Sequence, residues 1–293
     1  MSKKIYITVL LCSFIFFSCK QHIETVEATE SALYTINLDS IPTVDSFRLS
    51  SIFRKAKAIR LEETDYAVIG RINCMQVFDN YIFILDTDKA KKLFMFNKNG
   101  KYLRQIGSWG QGPGEYIYIT DFCLDTINRE IYILDSSKKM LYKYNFDSGK
   151  FIGSVNMQYD KSYPNYVTFL NNKIYTDIIR HENLLMELDL KTNVQKEFLN
   201  ADQYNCGWNR PFFTEFNFFM SKLNSPKFVE LFMPTIMSIE KTRIYPYLAV
   251  KSKNWVKKSD IWSEEKLNEE KEFQHILLMR QKRVFNIKNY MEY

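Results

Sequence analysis

Between residues 74 and 200 apolar and polar positions alternate in short bursts, with no helical period. Residues 81–85 (Tyr-Ile-Phe-Ile-Leu) form a continuous apolar run, the pattern of a strand covered on both faces. A polar turn leads to a second run at 93–96. Asn97-Lys-Asn-Gly100 then reads as a tight turn in which Gly100 supplies the positive φ. Residues 101–106 alternate at period two, as an outer, half-exposed strand does. The same succession recurs downstream: 130–134 and 141–144 repeat the two runs, and Gly149 repeats the turn. Leu85 and Leu134, Asp86 and Asp135, and Gly100 and Gly149 are all 49 residues apart. A weaker third copy runs from 173–177 into 185–189. Further strands are expected at 53–61, 229–232 and 235–239. Residues 263–278 read as a helix capped by Ser263 with acids in its first turns.

Antiparallel units of three or four strands recurring every 40–50 residues are the signature of β-propeller blades. The fold class is therefore all-β. Composition agrees: aromatic residues make up 16% of the 293, a β-favouring excess. Apolar (46%) and charged (25%) fractions are globular, which excludes wholesale disorder.

The N-terminus reads differently. Lys3 and Lys4 precede an apolar run at 5–17, too short to span a bilayer but suited to the core of an export signal. The run ends Phe16-Phe17-Ser18-Cys19, which resembles a bacterial lipobox, with Phe16 where leucine is usual. That resemblance implies acylation of Cys19, a lipid anchor and a cell-envelope location, with the outer membrane favoured. A plain secretory signal and a membrane anchor are the alternatives. The chain divides into a signal peptide (1–18), a flexible tether (19–45), blades (46–258), and a C-terminal helix with the start of a further blade strand (259–293).

Between the first two copies lies Gly107-Ser-Trp-Gly-Gln-Gly-Pro-Gly-Glu-Tyr116, holding four of the chain's nine glycines. With Gly100-Lys-Tyr-Leu before it and Ile-Tyr-Ile-Leu-Asp135 after it, this stretch resembles NHL-type repeats. More specifically, it resembles the six-bladed β-propeller lipoproteins of Bacteroides and relatives. The resemblance is good over 46–155, weaker to 200 and patchy beyond. It implies a fold rather than a reaction. Residues 46–293 suffice for about five blades at ~45 residues each. The ring is therefore expected to be incomplete at the C-terminus, with unpaired sheet edges.

Candidate chemistry is sparse. The glycine loop lacks the Lys-Ser/Thr and following helix of a phosphate loop. It reads as an inter-blade connection, or as a ligand-contacting loop with Trp109 and Tyr116 as contacts. Asp86, Asp135 and Asp177 end equivalent strands. They could ring a channel around a cation; in related propellers the residue instead hydrogen-bonds amides and links blades. His181 lies in a turn, and Trp208 opens an aromatic-rich stretch. Trp109, Tyr116, His181 and Trp208 are the candidate ligand-face residues. His22 and His275 sit in the tether and the helix. Glu62-Glu63 and Glu264-Glu265 read as solvated pairs. Cys74, Cys123 and Cys206 match no zinc spacing and read as core residues. No catalytic set can be named, and neither cofactor nor metal is expected.

The net charge is +6, or +4 without Lys3 and Lys4, and no basic stripe suggests a nucleic-acid partner. The expected partners are the membrane, through the lipid, and a protein or glycan ligand. A lipid-anchored binding or scaffold module is the first functional expectation. An envelope glycan hydrolase or lyase with carboxylates in the propeller mouth is the second.

Overall fold

The computed structural model describes residues 31–42, 46, 48–51, 53–159, 162–179, 181–208, 219–220 and 225–260. The strands in chain order are β1 (Tyr34–Asn37), β2 (Cys74–Phe78), β3 (Tyr81–Asp86), β4 (Lys92–Asn97), β5 (Tyr102–Ile106), β6 (Ser108–Trp109) and β7 (Glu115–Tyr116). There follow β8 (Ile119–Asp125), β9 (Glu130–Asp135), β10 (Met140–Asn145), β11 (Phe151–Asn156), β12 (Val167–Leu170), β13 (Lys173–Asp177), β14 (Asn183–Asp189) and β15 (Gln195–Asn200). After one helical turn, α1 (Ala201–Tyr204), come β16 (Phe219–Met220), β17 (Lys227–Phe228), β18 (Thr235–Ile239) and β19 (Ile244–Lys251).

These strands make four antiparallel blades in a propeller arrangement: β2–β5 (blade I), β8–β11 (blade II), β12–β15 (blade III) and β16–β19 (blade IV). Each interface between successive blades is one apolar cluster. Phe83, Leu85 and Met95 of blade I meet Phe122, Ile133 and Tyr144 of blade II. Leu134 and Leu141 of blade II meet Val167 and Leu188 of blade III, where Tyr132 and Phe169 stack with ring centroids 5.7 Å apart. Tyr175 and Leu185 of blade III meet Phe228 and Ile236 of blade IV. Central strands buried on both faces require continuous apolar runs, which is why 81–85 and 130–134 do not alternate.

The opposite face of blade I, with Ile82, Ile84, Phe94 and Phe96, packs against Leu61, Ala67 and Ile69 of the chain leading into it. The strand expected at 53–61 does not form: residues 53–60 are exposed and enter no ladder, and only Leu61 at the segment's end packs on blade I. Glu62, read as solvated, caps the outer edge: its carboxylate accepts the Tyr102 amide at 2.8 Å and its own amide donates to the Gly100 carbonyl.

Two further expectations are corrected. Residues 34–37, placed in the tether, form β1, which lies parallel to β19, so the outer edge of blade IV is paired. The strand expected at 229–232 is displaced to β17, because residues 231–232 turn and Phe232 takes a positive φ of 68°. Six blades are not present among the described residues. The helix at 263–278, the strand start at 284–287 and Cys19 lie outside them.

Candidate functional site

Antiparallel order fixes which loops share an end. In each blade the second strand finishes, and the third begins, at the end where the chain arrives from the preceding blade. The recurring aspartates stand there, and each holds the incoming chain. Asp86 Oδ2 accepts the Gly70 and Arg71 amides at 2.8 and 2.9 Å, and its Oδ1 accepts those of Asp88 and Lys89. Asp135 Oδ2 accepts the Ile117 amide at 2.7 Å, and its Oδ1 accepts the Ser137 hydroxyl at 2.7 Å. Asp177 Oδ1 accepts the Asn165 and Tyr166 amides at 2.8 and 2.7 Å. Their oxygens are spent largely on amides, and no group of three or more His, Cys, Asp or Glu among the described residues is placed to hold a metal ion.

Asp177 is as fully buried as Asp86 and Asp135 but finds amide donors for only one of its oxygens. Desolvation raises its pKa to about 7 against the amides of Tyr166 and Asn165, and the nearby Asp121 charge adds to the rise. Its Oδ2 has no hydrogen-bond partner. Glu230 is also pushed well above the usual carboxylate range, by burial and then by Asp177. Asn205 Nδ2 donates to its Oε2 at 3.3 Å.

The glycine loop lies at this connection end and joins blades I and II. The short strands β6 and β7 pair in parallel across it. Glu115 holds it shut, accepting from the Gly112 amide at 2.8 Å and the Ser108 hydroxyl at 3.3 Å. Trp109 stands 66% exposed, as a contact residue requires. Tyr116 does not: it is fully buried, its hydroxyl donates to the Lys91 carbonyl, and Tyr144 of blade II closes over it with a 2.6 Å bond to the Gly114 carbonyl. The aromatic that does reach the surface is Tyr118, 56% exposed.

From Trp109 a continuous band crosses blade II. Lys138 Nζ donates to the Glu115 carbonyl and the Tyr142 hydroxyl. Lys139 Nζ donates to the Tyr159 carbonyl and lies 5.1 Å from the ring centre of exposed Tyr163. Beyond Tyr163 is a cleft of about 560 Å3 between blades II and III, lined by Asn156, Gln158, Tyr159, Ser162, His181 and Glu197, with Met157 and Ile178 beneath. His181 is thus at the site, half-exposed, with Nδ1 3.1 Å from Glu197 Oε2. Trp208 is not on this surface. It is only 7% exposed and packs edge-on against Phe232 at 5.2 Å.

Sequence reasoning missed Glu197, Ser162 and the amides of this cleft. They lie on an outer strand and in a connection, where no motif marks them. Cys123 is buried, Cys74 and Cys206 are half-buried, and none of the three is in a disulfide. His22 and His275 lie outside the described residues.

A family model described as a domain of unknown function (DUF4934) matches residues 33–293. No curated protein matches this sequence. Among solved structures the chain is similar to a Bacteroides fragilis protein whose name calls it exported, with a TM-score of 0.55 at 18% identity. The match covers 71% of this chain and 57% of that one, so the chain spans little more than half of that protein. It is also similar to a DUF4221-family member from Bacteroides vulgatus, with a TM-score of 0.44 at 14% identity over 68% of this chain and 62% of that one.

Proposed function

The chain belongs to the DUF4934 family, a domain of unknown function, and we propose that it is a lipid-anchored envelope module that binds a glycan or protein across its connection end. The observation that carries this reading is the lining of the blade II–III cleft. Amides, a hydroxyl and an aromatic ring surround a single carboxylate, Glu197, where a glycosidase requires two carboxyl groups facing one bond. Exposed Trp109, Tyr118 and Tyr163 extend the contact surface, and aromatic faces accept both sugars and peptides. The envelope location is supported by the export-type run before Ser18-Cys19 and by the name of the Bacteroides fragilis neighbour. The six-bladed lipoprotein resemblance agrees with it.

The test is a glycan array and a peptide pull-down with the full chain in detergent, wild type against Trp109→Ala. Retention of a ligand by the wild type and its loss in the variant is the expected result; retention of no ligand overturns the reading. Fatty-acid labelling of wild type against Cys19→Ala tests the anchor, and equal incorporation into both would remove it.

A second reading, glycan hydrolysis or elimination, draws on Asp177 and Glu230, two buried acids within electrostatic reach that favour their protonated forms. Cleavage of envelope polysaccharides that disappears in Asp177→Asn would establish it over the first.

A further inference from the structure

Glu197 and His181 face each other in the cleft between blades II and III, with Oε2 and Nδ1 3.1 Å apart. Glu197 Oε2 also takes the Asn183 side-chain amide at 3.0 Å. That bond falls on Oε2, so Oε1 keeps its lone pairs for a ligand, while His181 Nδ1 accepts the Asn183 backbone amide at 3.4 Å. Ser162 is 1% exposed, and its Oγ has no hydrogen-bond partner. A buried hydroxyl in that state is costly, and a ligand group that bonds it relieves the cost.

The wall opposite is held in place. The Gln158 amide donates to Gln195 Oε1, and Gln195 Nε2 returns a bond to the Gln158 carbonyl, both at 2.9 Å. The Tyr159 hydroxyl bonds Thr176 Oγ1. A rim fixed before binding lowers the ordering cost of a complex. The volume of about 560 Å3 lies in the usual range of small-molecule clefts, about 300–1,000 Å3.

These features exclude ligand classes by their chemistry. A phosphate or sulfate would meet the Glu197 carboxylate. A simple protonated amine would pair with Oε1 but leave the side-chain amides of Asn156 and Gln158 unused. A ligand with many hydroxyls and one apolar face satisfies every group present. We infer that the cleft is a subsite for one ring of a neutral saccharide, which donates hydroxyls to Glu197 Oε1 and Ser162 Oγ. The inference rests on the reading of the connection end as a ligand face and narrows it to one class.

The experiment titrates the full chain calorimetrically with neutral tetrasaccharides of glucose, mannose, galactose and N-acetylglucosamine. A sulfated oligosaccharide and a peptide library run alongside. At least one neutral tetrasaccharide binds. Glu197→Gln weakens it about tenfold, as loss of a hydrogen bond to a charged acceptor does. Ser162→Ala weakens it severalfold. Glu197→Gln keeps the wild-type melting temperature, and Ser162→Ala, which removes an unpaired buried hydroxyl, melts no lower than wild type. Binding of peptide or sulfated probe alone overturns the saccharide subsite and leaves the ligand-face reading standing. Neutral saccharide bound equally by wild type, Glu197→Gln and Ser162→Ala overturns the placement in this cleft. Absence of binding by every probe overturns both.

Discussion

The Asp121 carboxylate accepts the backbone amide of Val167 at 2.8 Å across 46 residues, fastening the inner strand of blade II to that of blade III. The Gln76 side chain does the same one blade earlier, donating to the Phe122 carbonyl at 3.0 Å. These are latches between blades. The recurring aspartates hold the incoming connection to the blade that carries them, which refines the blade-linking role that the resemblance to related propellers implied.

Replacing Asp135 tests that local role. The carboxylate accepts the Ile117 and Tyr118 amides, the Ser137 hydroxyl and the Lys138 amide. Asp135→Ala should cost about 1–3 kcal/mol by leaving buried donors unpaired. The check is the urea midpoint. An unchanged midpoint with lost ligand binding would make Asp135 a contact residue instead.

Asp177 predicts an opposite effect with a defined pH window. Its pKa is raised from 3.8 to about 7, chiefly by burial. The folded protein therefore holds a proton that the unfolded chain releases between about pH 4 and 7. This contribution is full below pH 4 and declines as pH rises to about 7. Asp177→Asn keeps a carbonyl oxygen for the Asn165 and Tyr166 amides and removes the charge. It should stabilise by a few kcal/mol at pH 8 and little at pH 4. Thermal melts across that range decide it, and an identical pH slope in both proteins would contradict it. Asp86 runs the other way. Burial opposes its ionisation, but the Lys89, Arg71 and Gly70 amides outweigh burial and lower its pKa, so its contribution is lost in acid.

Blades I and II were largely legible because three signals coincide there, apolar runs, a terminal aspartate and a glycine turn, whereas blade III keeps the runs and the aspartate and turns on Asn193 at φ 57°. Strand β13 spans Lys173–Asp177 as its pattern indicated. β1 was illegible because Tyr-Thr-Ile-Asn alternates over only four residues, too short a run to mark a strand, and buries none of them. Only the edge of β19 selects it. Tyr116 misled for the converse reason. Its loop has a surface composition, yet blade II covers the ring. Trp109 and His181 were placed at the site, whereas Glu197 and Ser162 acquire meaning only once blades II and III face each other.

Backbone geometry separates two glycines. Gly100 has φ +84° where the chain turns beside residue 60, and a Cβ would strike the Arg60 carbonyl. Gly100→Ala should destabilise by about 2 kcal/mol or more through strain and displacement of the Arg60 backbone. Gly153 in β11 has no atom within 4 Å of where a Cβ would stand, so Gly153→Ala should fall within about ±0.5 kcal/mol. Chemical denaturation compares them, and equal losses would contradict the assignment.

The two tryptophans should dissociate binding from stability. Trp109→Ala removes an exposed ring and should leave the melting temperature within a degree or two while weakening ligand retention. Trp208→Ala removes a buried ring from Phe232 and should cost about 3–5 kcal/mol. Paired melting and array measurements test this. A stability loss at Trp109 equal to that at Trp208 would show that its ring is structural.

The N-terminal strand carries the last prediction. β1 runs parallel to β19 with Tyr34 opposite Leu248 and Asn37 opposite Lys251. The contact reaches beyond the ladder. The Leu33 amide donates to the Pro246 carbonyl, and the Tyr34 and Tyr247 rings meet edge-on at 5.4 Å. Asp39 accepts the Lys253 amide at 2.6 Å and the Ser252 hydroxyl at 3.0 Å. A sheet edge stripped of such a partner is a template for pairing with another chain. The reference for this test is the chain without residues 1–30, which keeps β1. Removing residues 1–42 should lower the melting temperature by several degrees and promote association through the bared β19 edge. Asp39→Ala, which keeps β1 and loses its clasp, should fall between them, near ~1 kcal/mol. Melting curves with size-exclusion chromatography at two concentrations read all three. Identical behaviour of the two truncations would mean that β1 contributes nothing to blade IV.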